Sequence, residues 1–236
     1  MDAVIEIYTR YNIYQVSLKM TKLLKADLHI HTLYSMDCNT SLEGIIDRCV
    51  ETGINCIAIA DHDSVEGSLK MQSLAPFPVI VAEEILTPYG EIMGMFLKER
   101  IPSGVSIEQA ISRIRAQGAL VCLPHPFAPF RGIKLDNERL EELAEQLDII
   151  EVFNARSPLL RDSTRARAFA EKHSLPGTAG SDAHTLGEIG STYIEMPEFN
   201  GRDDFLQAIA AGKIIEHRTN PLIHFAGAWA RLKKLL

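Results

Sequence analysis

The sequence predicts an α/β fold: a closed or nearly closed barrel of β/α units in a single domain. Three observations carry this. Short apolar runs alternate with amphipathic stretches along most of the 236 residues, the order expected of β-α-β units around a mostly parallel sheet. Residue types that ligate metals fall just after the strand-like runs, on the rim where parallel barrels carry their sites. The fingerprints of open nucleotide-binding sheets are missing, with no G-x-G-x-x-G after the first strand and no P-loop.

The elements follow in order. Residues 25–30 (KADLHI) alternate and predict the first strand. Thr40 and Glu43 predict a capping box for a helix in which Leu42, Ile45, Ile46, Cys49 and Val50 recur at helical spacing, with Gly53 as its stop. Residues 54–60 (INCIAIA) are continuously apolar, as in a strand buried on both faces. A helix near 64–74 precedes strands at 78–83 and 91–97. Ser106 and Gln109 form a second capping box for a helix over 106–117 that stops at Gly118. Strand 119–123, helix 137–147, strand 148–153 and helix 158–173 come next, then strands at 175–180 and 192–196, helix 202–211 and strand 213–216. From Pro221 the tail has Leu222, Phe225, Trp229 and Leu232 at near-helical intervals. Residues 1–24 form an N-terminal extension or the start of the domain, and 25–236 the barrel.

Composition narrows the partners. The net charge of −7 and the lack of a dense Lys/Arg run argue against long duplex nucleic acid, whose binders need a basic stripe. No segment has the roughly 18 consecutive apolar residues of a membrane span, and the N-terminus lacks the basic start and apolar core of a secretory signal. Cys38, Cys49, Cys56 and Cys122 include no CxxC pair, and a reducing cytoplasm is the expected location.

The chemistry lies at the strand ends. Asp27, His29 and His31 end the first strand; Asp61, His62 and Asp63 follow the second; Glu83 and Glu84 end the third. His125 follows strand 119–123, Asn154 follows 148–153, and Asp182 and His184 follow 175–180. Side chains two apart in a strand share a face, so His29 and His31 suit one ion, as do Asp182 and His184. Mixed imidazole and carboxylate donors suit Zn²⁺, Mn²⁺ or Fe. A carboxylate such as Glu84 can bridge two ions, and paired ions can activate water at neutral pH. Singly, each motif has a structural alternative: an incidental HxH pair, a helix cap at Asp61–Asp63, a rigid turn at Pro124–Pro126. Jointly, five strand ends would have to collect ligands by accident. Arg131 and Arg156 lie in rim loops, where a guanidinium can grip phosphate or form a surface ion pair. His173, His217 and His224 are assigned no role.

At these residues the sequence resembles the polymerase and histidinol phosphatase (PHP) family of metal-dependent phosphoesterases. ADLHIHTLYSMD is similar to its first motif, IAIADHDSVEG to its second, VAEEI to its Glu motif, CLPHPFAPFR to its third and TAGSDAHTLGEIG to its fourth. The match runs in order from about residue 25 to 195. The resemblance implies a distorted (β/α)7 TIM-like barrel with two or three divalent ions. It implies that His29, His31, Glu84 and Asp182 bind one ion, Asp37, His62 and His184 another, and Glu84 with His125 a third. Asp37 emerges only through this comparison. One departure stands out: Met93 occupies the place of a histidine that many members carry, leaving Glu91 as a substitute donor or the centre binuclear.

The expected activity is hydrolysis of a phosphoric ester by a metal-activated hydroxide. Arg131 or Arg156 would bind a phosphoryl oxygen, and Asp63 or a bound water would protonate the leaving group. The substrate class is a small phosphomonoester, a nucleotide or a short oligonucleotide end. Two alternatives stand beside it: amidohydrolase-type cleavage of a C–N or C–O bond, and a non-catalytic regulatory module that keeps its metals for stability.

Overall fold

The computed structural model describes residues 23–129 and 131–219. The elements in chain order are β1 (Leu23–Ile30), α1 (Leu42–Thr52), β2 (Cys56–Ile59), α2 (Glu66–Leu74), β3 (Val79–Thr87), β4 (Gly90–Met95), α3 (Ile107–Ala116) and β5 (Leu120–Leu123). They continue with α4 (Asn137–Ala144), β6 (Ile149–Asn154), α5 (Leu160–Lys172), β7 (Gly177–Gly180), β8 (Tyr193–Pro197), α6 (Arg202–Ala210) and β9 (Lys213–Ile215). Each strand and helix predicted within the described residues is present, with ends shifted by a few residues. The helix predicted from Pro221 and residues 1–22 of the 1–24 segment lie outside them, while Leu23 and Leu24 begin β1.

One sheet runs in the order β7-β6-β5-β4-β3-β2-β1-β8-β9. It bends back so that the chain just after β7 meets β1: Asp182 N donates to His29 O at 2.8 Å, and His31 N to Ala183 O at 3.0 Å. These bonds nearly close a barrel. The parallel pairs are β1/β2, β2/β3, β5/β6 and β6/β7. The mostly parallel sheet inferred from sequence has two antiparallel members, β4 and β8, where the sequence already places two strands in succession without a helix between them. Between β3 and β4 only Pro88 and Tyr89 intervene, and two residues can close a hairpin but cannot cross over to a parallel strand.

Alternation sorts the strand residues into two layers. Ala58, Ala60, Ile80, Ala82, Met93, Met95, Leu120, Cys122, Ile149 and Phe153 fill the barrel interior. Val81, Ile85, Ile92, Val121, Ile150 and Val152 pack outward with residues of α3, α4 and α5, and Ile57 and Ile59 pack outward with residues of α1 and α2. The amphipathic helices lie on this outer face because each buries one apolar stripe. Ser106 and Gln109 form the predicted capping box of α3. The box predicted at Thr40 and Glu43 is corrected. Ser41 caps α1 by accepting from Gly44 N at 3.2 Å, while the Thr40 hydroxyl donates to His184 O at 3.1 Å. Among the described residues no helix is long and apolar enough to cross a membrane.

Candidate metal centre

Strand parity explains which acidic residues reach the barrel mouth. Glu84 continues the interior row of Ile80 and Ala82, Glu91 that of Met93 and Met95, and Glu151 lies between Ile149 and Phe153. Glu83 has the opposite parity and points outward, where it accepts from Ile101 N at 2.9 Å. In β1 the register slips between Asp27 and Ile30. Ala26 and Leu28 pack inside, whereas Ile30 packs outside. That irregularity separates Asp27 from the two histidines. Its carboxylate accepts from Ser181 N at 2.8 Å and Gly190 N at 3.1 Å, stitching β1 to the loop after β7. Asp61 likewise turns to structure, accepting from both Thr32 N and Thr32 Oγ1 at 2.6 Å. Gly67 permits that bond, since a Cβ there would stand 2.3 Å from Asp61 Oδ2.

The remaining candidates converge. His29 Nε2 and His31 Nε2 are 3.1 Å apart and each 3.3 Å from Glu84 Oε2; His31 Nε2 is also 3.3 Å from Asp182 Oδ1. Asp37 Oδ2 stands 3.5 Å from His62 Nε2 and 3.3 Å from His184 Nε2. His125 Nε2 lies 2.9 Å from Glu84 Oε1 and 3.5 Å from Glu91 Oε2, and Glu91 Oε1 is 3.6 Å from His62 Nδ1. Asp182 and His184 stay neighbours as their spacing predicts, with Asp182 Oδ1 3.5 Å from His184 Nδ1, but the two join different clusters. β7 ends at Gly180, Asp182 has left-handed backbone with φ 54°, and its carboxylate joins His29 and His31 while His184 Nε2 faces Asp37.

These donor atoms suit cations. Glu84 Oε2 and Asp182 Oδ1 are buried without a hydrogen-bond partner, although a buried carboxylate oxygen left unpaired is costly. Both lie among imidazole nitrogens at contact distances that a shared ion would satisfy. Burial opposes charge on His31, but Asp182 and Glu84 pull its pKa up to about 10. Burial also opposes charge on Glu84 and Asp182, yet His29 and His125 around the first, and Arg131 and His29 around the second, hold both well below the usual carboxylate range. Burial and the neighbouring charge of His31 bring His184 down to about 4. His125 also has positive φ, at 26°. Non-glycine residues in such backbone carry strain of about 1–3 kcal/mol and concentrate at functional sites.

A supporting layer holds the ligands, and sequence reasoning missed most of it. Glu151 accepts from His125 N at 2.8 Å and Asn154 Nδ2 at 3.0 Å, and faces His29 Nδ1 at 3.1 Å. Metal-bound imidazoles typically gain such a carboxylate behind them. Its only sequence signal is a lone acid inside an apolar strand, IIEVF. Asn154 also donates to Asp182 Oδ2 at 3.2 Å. Glu188 accepts from His184 N at 3.0 Å and pairs with Arg156 Nε at 3.2 Å.

The three residues singled out for catalysis part ways. Arg131 Nη1 pairs with Asp182 Oδ2 while its side chain stays one-third exposed at the mouth. Arg156 is buried against Glu188 and His184 Nδ1, so the expectation that it grips substrate is corrected to support of His184. Asp63 is also corrected. Its carboxylate takes both Nε and Nη2 of Arg100 and accepts from Ser103 N at 3.0 Å. Slight burial is outweighed by Arg100 and Ser103, which lower its pKa. A carboxylate kept ionised in this way has no proton to give a leaving group.

Known proteins are similar to this chain in sequence and in fold. The model of the PHP domain matches residues 27–151, more than half of the chain. The chain belongs to the PHP family. A PHP-associated model matches residues 161–214 of the same PHP chain. An uncharacterized protein of Methanocaldococcus jannaschii is 35% identical over 181 residues, covering 75% of this chain and 72% of its own. Solved structures are similar in fold. A two-domain protein from Bacteroides vulgatus, described as containing a predicted PHP-like metal-dependent phosphoesterase, aligns with TM-score 0.68 and 18% identity over 83% of this chain and 65% of its own. An amidohydrolase from Chromobacterium violaceum, solved with bound sulfate and no metal, aligns with TM-score 0.57 and 17% identity over 70% of this chain and 89% of its own.

Proposed function

We propose that this PHP protein is a metal-dependent phosphoesterase. The observation that carries the reading is the buried array at the barrel mouth, where Glu84 and Asp182 each keep an oxygen free among imidazole nitrogens. His29, His31, Glu84 and Asp182 would hold one divalent ion, and Asp37, His62 and His184 a second. Glu84, His125 and Glu91 would hold a third, with Glu91 standing in for the histidine replaced by Met93. Ions bound there would supply Lewis-acid activation of water and charge neutralisation on a phosphoryl group.

The chain's own residues do the rest. Arg131, one-third exposed on the rim, would bind a non-bridging phosphoryl oxygen, because its fork of donors matches phosphate. Glu151 fixes the His29 tautomer, and Glu188 with Arg156 holds His184. The likeness to an amidohydrolase favours one second reading, cleavage of a C–N or C–O bond at the same centre. The test is hydrolysis of aryl phosphates, nucleotides and short 5′-phosphorylated oligonucleotides by chelator-stripped protein reloaded with Mn²⁺, Zn²⁺ or Fe²⁺. Turnover that Arg131→Ala reduces supports the proposal. A fully loaded protein inert to every phosphate ester, yet active on amides or carboxylic esters, would overturn it in favour of the second reading.

A further inference from the structure

An imidazole that ligates through one nitrogen needs a partner for the other, which sets its tautomer and aim. His29 has Glu151 behind it, and His184 Nδ1 lies 2.9 Å from Asp182 O. The far nitrogens of His31 and His125 both lack one, and a small cavity adjoins His125. His125 Nε2 faces Glu84, which leaves Nδ1 facing away from the centre, buried and without a hydrogen-bond partner. The cavity next to it measures about 10 Å³ and has a mixed lining, polar at His125, Glu151, Asn154, Asp162 and Ser163 and apolar at Phe127 and Val152. That is about the space one water needs, provided polar partners surround it.

One lining group matches the orphaned nitrogen. Asp162 on α5 is only 5% exposed, and its Oδ2 also lacks a partner. The other polar groups named are engaged: Asn154 donates to Glu151, and Ser163 Oγ accepts from Arg218 Nη2 at 3.1 Å. Arg218 also donates to Ser157 O and stacks over Phe153 at 5.0 Å, anchoring the start of α5 against β6.

We propose that Asp162 is the positioning residue for His125, acting through a single water in this cavity. The water accepts from His125 Nδ1–H and donates to Asp162 Oδ2. The bridge fixes the tautomer whose Nε2 lone pair faces Glu84 and Glu91. The proposal rests on the metal-centre reading above but not on which bond is cleaved.

The test is Mn²⁺ titration of the chelator-stripped full chain, alongside thermal unfolding and a crystal structure that resolves waters. Asp162→Ala is expected to weaken only the binding step that depends on His125, by about 10–100-fold. Asp162→Asn keeps an oxygen to accept from the water and is expected to recover most of that loss. Ser163→Ala, whose hydroxyl serves Arg218, should leave the isotherm unchanged. Should Asp162→Ala fail to fold, Asp162→Asn and the crystal structure decide. A wild-type isotherm for Asp162→Ala, equal weakening of every step, or no ordered water within hydrogen-bond reach of both atoms would overturn the proposal. A wild-type protein that binds ions but hydrolyses no phosphate ester would refute the phosphoesterase reading alone.

Discussion

Glu151→Gln isolates what one buried carboxylate does for the centre. Three nitrogens converge on it: His125 N at 2.8 Å and Asn154 Nδ2 at 3.0 Å on Oε2, and His29 Nδ1 at 3.1 Å on Oε1. An amide has one oxygen. If that oxygen takes the Oε2 position, the new NH₂ faces His29 Nδ1 and forces it to accept. The proton then moves to Nε2, the atom that faces Glu84 and His31, and its lone pair is no longer free for an ion. If the amide is turned the other way, its NH₂ meets two buried N–H donors, at about 1–3 kcal/mol for each one left unsatisfied. Loss of a supporting partner of this kind typically weakens metal affinity about 10–100-fold, which corresponds to about 1.4–2.8 kcal/mol. Calorimetric titration of stripped protein with Zn²⁺ or Mn²⁺ reads the first cost, and denaturant unfolding reads the second. A variant with both the wild-type isotherm and the wild-type midpoint would refute this account of Glu151.

Three further perturbations test other links. Gly180→Ala would place a Cβ 2.3 Å from His29 Cβ and 2.7 Å from His29 N; overpacking of this kind costs about 1–3 kcal/mol or more, read as a lowered unfolding midpoint together with weakened metal binding. Glu91→Gln is expected to reduce the bound ions by one per chain, measured by elemental analysis after dialysis, with the other steps unchanged. Burial raises the Glu83 pKa from 4.5 to about 7. The folded metal-free protein therefore binds the proton more tightly than the unfolded chain. That contribution is full below pH 4.5 and is lost as pH rises to about 7, a fall of up to roughly 3 kcal/mol. Glu83→Gln should flatten this part of the stability-versus-pH curve, measured by urea unfolding from pH 4 to pH 8.

Much of the molecule was legible in the chain because its signals are local. The period of two in the strands, the period near 3.6 in the helices and the Ser106/Gln109 capping box each depend on residues close in sequence. Collection of His29, His62, Glu84, His125 and Asp182 at strand ends also announced a common rim, and the structure brings these side chains into contact. The rule of ligands at C-terminal strand ends passes over Glu91. That residue begins β4, and it reaches the rim because the two-residue connection from β3 makes β4 run backwards. Glu83 and Glu84 are adjacent and equally acidic, and only strand parity tells which faces the interior.

The sequence by itself determined the class of barrel, the identity of most candidate metal ligands and the end of the barrel that carries them, since each follows from local periodicity and residue chemistry. Tertiary structure decided the direction of β4 and β8, the slip in β1 that sets Asp27 aside, and the partners of Asp63 and Arg156. Those outcomes depend on contacts such as Asp63–Arg100 and Arg156–Glu188, made between residues more than thirty positions apart. A charged side chain pairs with whatever the fold brings within reach, so its role is set by neighbours that no local pattern names.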